Sequence, residues 1–415
     1  MTGNPAGHAT LTRAPDGSYV VEADHRTRYA VTVVDGLLDR TFPPPDGGSL
    51  GDPLGRVPGG SVRRLVVVDR DVMRPYGRKI REFLDRHGIE YRLVKLPGGE
   101  RSKSLKLVMR LCREFDDFGV PRRGEPVIVI GGGAILDMAR MTSGIYRRGV
   151  PVIAWPVSLV GQIDAGLGVK TAIDAGGYKN RLGTYSPLER AVIDRRFLAT
   201  LNDRRLSDGL AEILKVGVAV DETLFGSLRA HGRKVLHERF QGRTETGDRA
   251  ASQILDAAIR GMLGELAPNL YEDDMARPVY LGHTWSPAVE MEALRRSRRW
   301  LPWERRPALL HGEAVALDMI LSAGIALDRG AMDKAEYELV AETTDSLGLP
   351  LWDSLLDDAD LLAAGLRDST RHRGGRQLAP LPRGIGAVVF ADDITASEVA
   401  HSVKRQRALG GRSVG

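Results

Sequence analysis

The sequence predicts an α/β protein in two parts, a first half on a largely parallel sheet and a second half built almost entirely of helices. Three observations carry this. Short apolar runs alternate with helix-like segments up to about residue 200, the pattern of strands joined by crossover helices. The apolar run 127–130 passes through Gly131, Gly132 and Gly133 straight into a segment of helix-start composition. From Leu206 onward apolar residues recur at helical spacing.

Taken in order, residues 1–26 are polar and read as disordered, 29–34 is a first strand, and 43–60 is a Gly/Pro-rich loop. Residues 64–71 form a buried strand ending in acids, followed by a helix to about 87. A strand at 91–96, a turn at 97–103 and a helix at 104–118 follow, then the glycine turn and a strand at 152–156. A boundary near 198–205 separates an α/β unit, 27–200, from a helical unit, 201–403, with a flexible tail at 404–415. Helices are expected at 206–219, 222–231, 247–266, 312–329, 333–347 and 357–368, and a short strand at 382–390.

A chain of 415 residues can bury two cores. Its one cysteine, Cys112, excludes an intrachain disulfide and a cysteine-built zinc site. No apolar run reaches membrane-spanning length and the N-terminus lacks a signal-peptide core, so a cytoplasmic protein without membrane contact is expected. The net charge of +5 suits an anionic small substrate as well as nucleic acid.

Glycines at a strand-to-helix turn let backbone N–H groups approach an anion closely, and Asp137 could cap the helix or bond a ribose or nicotinamide group. The spacing GGGxxxD is not GxGxxG, so pyrophosphate binding and a plain tight turn both remain open. In the second half, Glu212 and Lys215 share one helix face, His283 lies in Gly-His-Thr-Trp-Ser-Pro287, and His311 opens His-Gly-Glu-Ala-Val-Ala316. One glutamate and two histidines with an open position make a catalytic zinc set. The competing account has Glu212 neutralised by Lys215, with His283 and His311 at helix ends. Between the halves, Asp164, Lys170, Lys179, Asn180 and Arg181 sit on glycine-rich backbone suited to a phosphate, or to a solvated surface between domains.

Six ordered motifs, GGGAILDMA, RRGVPVIAWPVSLVGQIDAGLGVKT, YKNRLGTY, LSDGLAEILKVG, GHTWSP and HGEAVA, resemble the sugar phosphate cyclases, whose best-known members are the dehydroquinate synthases. The resemblance spans about 66–390 and implies a Rossmann-like NAD domain followed by a helical metal- and substrate-binding domain. Pro287 stands where dehydroquinate synthases carry a second histidine, and Ala276, Tyr280 and Met262 replace a substrate-binding arginine, asparagine and lysine. Without that arginine and lysine a substrate carboxylate would be buried unpaired. GHTWSP, the 268–272 run and the 371–386 segment are similar to the cyclases that use sedoheptulose 7-phosphate, nearest to the 2-epi-5-epi-valiolone synthase type. That type carries acids at the places of Ala276 and Tyr280, so a 2-epi-valiolone product is an alternative. 3-Dehydroquinate synthesis, polyol dehydrogenation and a non-catalytic binding role follow behind.

The resemblance implies transient oxidation by NAD, phosphate elimination, re-reduction and intramolecular aldol closure, a net lyase reaction. It places Glu212, His283 and His311 on one zinc or cobalt ion and Asp69, Glu100, Lys103, Gly131, Gly132, Gly133, Asp137, Ser158, Lys179 and Thr200 on NAD. Arg148, Lys170, Asn180 and Lys215 fall at substrate positions, with Arg371 and His372 as further candidates, while Asp164 falls near the reacting hydroxyl. Arg148 is implied to reach the partner's site in a homodimer. The basic stretch 295–306 reads as a solvated insertion, not a nucleic-acid contact.

Overall fold

The computed structural model describes residues 9–24, 26–43, 49, 51–56, 59–298 and 308–411. The expected insertion at 295–306 therefore lies outside the described residues beyond Arg298, as do residues 1–8 of the N-terminal segment.

The chain opens with β1 (Ala9–Arg13) and β2 (Tyr19–Ala23), an antiparallel hairpin exposed along its whole length. The expectation of disorder across 1–26 is corrected here: Leu11 pairs with Val21 and Arg13 with Tyr19. Next come β3 (Ala30–Val34), β4 (Arg63–Asp69), α1 (Met73–Arg86), β5 (Glu90–Leu96), α2 (Leu105–Phe118), β6 (Val127–Gly131), α3 (Gly133–Ile145) and β7 (Val152–Pro156). A second hairpin, β8 (Lys170–Ala175) and β9 (Tyr178–Tyr185), precedes β10 (Arg190–Asp194).

Six strands form one sheet in the order β3-β10-β7-β6-β4-β5, and every pair is parallel. Alternate residues feed two layers, as the period of a strand requires. Val66, Val68, Ile130 and Trp155 pack with Ile80 and Phe83 of α1. Val67, Val129 and Ala154 pack on the other side with Leu111 of α2 and Leu136 of α3. The order reverses between β4 and β6, which makes a topological switch point at their carboxyl ends, beside Asp69 and Gly131.

The second half contains α4 (Asp203–Val220), α5 (Glu222–His237), α6 (Glu245–Leu266), α7 (Ser286–Arg296), α8 (His311–Asp328), α9 (Lys334–Ser346), α10 (Ala359–His372), the hairpin β11 (Ala379–Pro382) and β12 (Val388–Ala391), and α11 (Ala396–Gly410). α8 is buried from Gly312 to Ala326, and so is almost all of α4. Helices buried on every side are central rods, and these two carry Glu212 and His311, two of the three metal-ligand candidates. The expected flexible tail at 404–415 is corrected for 404–410, because α11 runs through them and buries Gln406 against α8. Two helices, α7 and α11, are absent from the sequence reading. Among the described residues no helix is long and apolar enough to cross a membrane.

Candidate active site

Glu212 and Lys215 occupy successive turns of α4, both buried and paired with each other. His283 follows Gly282, whose φ of 76° and closeness to α8 leave no room for a side chain: a Cβ would stand 2.8 Å from Val315. Asp318 of α8 accepts from the backbone N–H groups of Trp285 (2.5 Å) and Ser286 (2.8 Å), which ties the His283 loop to the same helix. His311 is the first residue of α8. The next residue, Gly312, donates to Asp208 (2.6 Å) and packs so tightly that a Cβ would lie 1.9 Å from the Asp208 carbonyl. Arg204 grips Glu313 one residue later at 2.6 Å.

These constraints bring Glu212, His283 and His311 together, with donor atoms all within 4.8 Å of one another. Glu212 Oε1 lies 3.1 Å from His311 Nε2 and 3.8 Å from His283 Nε2. That oxygen is buried and accepts no hydrogen bond among the described residues. The opposite nitrogens face fixed partners: His283 Nδ1 is 3.2 Å from Leu281 O, and His311 Nδ1 is 3.0 Å from Glu290 Oε2. Both Nε2 atoms therefore point at one spot beside an unsatisfied carboxylate oxygen, which fits a divalent metal. Burial and the nearby Lys215 ammonium push His283 down to about 3, the neutral form a ligand needs. His311 is pushed down by burial and Lys179, but the Glu212 and Glu290 carboxylates beside its two nitrogens prevail and carry it up to about 10. A metal at Nε2 would take the place of that added proton.

Lys179, on β9, is buried against Glu290, with Glu100 at 3.4 Å and His311 Nδ1 at 3.3 Å. Lys103 sits beside it, 2.8 Å from Asp137, 3.5 Å from Glu100 and 2.6 Å from Asn180 Oδ1. Burial favours the neutral amine, yet Asp137 and Glu100 hold Lys103 charged and above the ordinary lysine value. Asp137 lies one turn inside α3 and does not cap it; the N-cap is Gly132, with no side-chain bond. The glycine turn thus leaves the start of α3 open at the switch point, where Ser158 faces Gly132 and Asp69 crowds Gly98, leaving no space for a Cβ there. A helix N-terminus with close backbone access and an acid on the neighbouring strand end fits a dinucleotide. Thr200 lies nearby through Tyr76, at 3.3 Å.

Asp164 is half-buried, and desolvation and then the Glu212 carboxylate push its carboxyl upward. Lys170 begins β8 and meets Glu272 at 2.8 Å and the Tyr280 hydroxyl at 3.0 Å. The Tyr280 ring lies among three cations, Lys170 at 5.1 Å, Arg277 at 4.8 Å and Arg373 at 5.3 Å. Glu272 also pairs with Arg277. Of the passage read from sequence as glycine-rich loop, Asp164 lies in a short helical turn, Gly161–Ala165, while Lys170, Lys179, Asn180 and Arg181 lie on the β8–β9 hairpin, closed by Gly176 and Gly177 at φ of 60° and 82°.

Two sequence candidates stand apart from this cluster. Arg148 is exposed at the end of α3, its guanidinium without a hydrogen bond or ion pair among the described residues. Arg371 is exposed, and Arg373 is the arginine turned toward Tyr280. Sequence reasoning missed Glu290, Glu272, Arg277 and Arg140. Arg140 is fully buried and donates to the carbonyls of Ala165 (2.7 Å), Gly168 (2.5 Å) and Ser186 (2.9 Å), clamping the segment that bears Asp164 and Lys170. A single cation inside the apolar face of α3 was its available signal.

The family model described as 3-dehydroquinate synthase N-terminal matches residues 93–208, and 3-dehydroquinate synthase C-terminal matches 209–370. A 2-epi-5-epi-valiolone synthase of Actinoplanes sp. is 48% identical over 84% of this chain and 85% of its own length. One from Streptomyces albus is 43% identical over 94% of this chain and 91% of its own. Among solved structures, ValA, the 2-epi-5-epi-valiolone synthase of Streptomyces hygroscopicus subsp. jinggangensis with NAD+ and Zn2+ bound, superposes with a TM-score of 0.84 at 39% identity, covering 94% of this chain and 99% of that one.

Proposed function

The chain belongs to the 3-dehydroquinate synthase family of sugar phosphate cyclases, and from that premise we propose that it converts sedoheptulose 7-phosphate into a C7 cyclitol of the 2-epi-5-epi-valiolone type with loss of phosphate. The observation that carries this reading is the 43–48% identity to synthases of that name over 84–94% of the chain. The reaction is a carbon–oxygen lyase step, set in the cytoplasm.

Bound at the switch point, NAD supplies a reversible hydride acceptor, and a zinc or cobalt ion on Glu212, His283 and His311 supplies an electrophile that acidifies a sugar hydroxyl. The remaining work falls to the chain's own groups. Lys215 keeps Glu212 ionised inside the protein. Asp164, its carboxyl raised by burial, is suited to take and return the proton of the reacting hydroxyl. Lys170, with its side chain 48% exposed, presents an ammonium to the phosphate, supported by Asn180 and Lys215. Glu272 and the Tyr280 hydroxyl hold that ammonium in place. Arg277 is already neutralised by Glu272, and Met262 is packed in the core, so neither offers a free cation to a substrate carboxylate.

Arg147 (φ 48°) and Arg148 (φ 61°) are consecutive left-handed residues, and Arg148 is exposed. This supports a homodimer in which Arg148 serves the partner's site. Tyr280 among its cations, where the nearest type has an acid, supports one second reading, the 2-epi-valiolone epimer from the same substrate.

Purified protein with NAD+, a divalent metal and sedoheptulose 7-phosphate is expected to release phosphate and a cyclitol without net NADH, with NMR identifying the epimer. Turnover of the 3-deoxy-heptulosonate phosphate control instead would overturn the substrate assignment, and accumulating NADH would point to a polyol dehydrogenase.

A further inference from the structure

We propose that Glu290 is a positioning residue for the metal centre: it accepts the Nδ1 proton of His311, so that Nε2 stays free for the metal, and Lys179 anchors Glu290 for that task. The inference rests on reading Glu212, His283 and His311 as the metal ligands.

Glu290 lies on α7, seven residues past His283, and its side chain is 4% exposed. Its Oε2 is 3.0 Å from His311 Nδ1, while Nε2 of the same ring faces Glu212 Oε1 at 3.1 Å. Histidine has two ring nitrogens, and the partner of one dictates which carries the proton. A carboxylate on Nδ1 makes that nitrogen the donor, fixes the ring plane and raises the basicity of Nε2. His283 receives the same treatment from the Leu281 carbonyl, which is neutral and fixed by backbone. A carboxylate on a helix has rotamers to choose from, and here a second contact restrains it. Lys179 pairs with Glu290 and is held in turn by Glu100 at 3.4 Å. Glu100 also meets Lys103 at 3.5 Å, and Lys103 meets Asp137 on α3 at 2.8 Å. An alternating ladder of buried and half-buried charges therefore runs from the metal ligand to the helix that follows the glycine turn.

The rival account makes Glu290 only a counter-ion for Lys179. The two accounts separate in the apo protein, prepared by chelation and titrated with zinc against a chromogenic chelator. E290A is expected to weaken zinc binding about 10- to 100-fold, the usual effect of removing such a partner. E290Q, which keeps an acceptor for Nδ1, is expected to recover much of that loss although its ion pair with Lys179 is gone. E290A/K179M also removes the ammonium that E290A leaves without its carboxylate partner, a destabilising group when buried, and is expected to remain weak. Cobalt in place of zinc gives a second readout, with a shifted d–d spectrum in E290A and a near-normal one in E290Q. Unchanged zinc affinity in E290A/K179M, or equal losses in E290A and E290Q, would overturn the proposal. If the wild-type chain bound no stoichiometric zinc, or H311A bound it normally, the metal-site reading itself would fail instead.

Discussion

Replacing Arg140 with methionine tests whether one buried guanidinium holds the catalytic wall together. Its three hydrogen bonds reach carbonyls at 165, 168 and 186, on either side of the β8–β9 hairpin. Bonds from a charged donor contribute about 1.5–3 kcal/mol each, and a stranded carbonyl loses its desolvation as well. Burial already depresses the guanidinium to about 10, and its Nε has no hydrogen-bond partner among the described residues, so part of the gain is offset in the native protein. Taking the lower bond value and that offset, Arg140→Met should destabilise the fold by about 4 kcal/mol, a large share of a typical 5–15 kcal/mol total. Arg140→Lys should recover only a minority of this, because one ammonium cannot span three carbonyls. Urea unfolding of both variants measures the energy. Phosphate release measures the consequence for Asp164 and Lys170, with turnover expected to fall at least about tenfold in any folded fraction. A methionine variant within about 1 kcal/mol of wild type and fully active would refute the clamp.

Gly312→Ala should abolish metal binding or folding, since its Cβ would stand 1.9 Å from the Asp208 carbonyl; zinc content and circular dichroism report it. Lys170→Met should lower kcat/KM about 10- to 100-fold, the worth of one charged hydrogen bond to a phosphate, while bound zinc stays unchanged. Asp318 is pushed up to about 6 by burial, against about 3.9 in an unfolded chain. Between those values the folded state holds the extra proton, so this group's contribution is largest below pH 4 and declines by about 3 kcal/mol as pH rises through 6. The stability gap between wild type and Asp318→Asn should shrink by about 2 kcal/mol from pH 4 to pH 7; a constant gap would contradict it.

The sequence by itself determined the alternation of buried strands and helices, the glycine turn at 131–133, and the candidate trio Glu212, His283 and His311. Those features are written in local periods and in residue types with few other uses. The parallel sheet follows because buried runs such as Val127–Gly131 need partners on both edges and cover on both faces. Its strand order, and with it the switch point beside Asp69 and Gly131, required the fold. Tertiary structure alone decided which charges meet. Lys179 reads as a loop cation, yet it neutralises Glu290, 111 residues away, and Arg140 closes on a carbonyl 46 residues later. Tyr280 reads as a missing substrate group, and packing makes it the ring that three cations share. Helix α7 escaped sequence reading because Pro287 sits in its first turn and obscures the pattern, and Glu290 escaped with it. Such partners are chosen by distance in space, where burial makes an unpaired charge too costly to leave, and no local period records them.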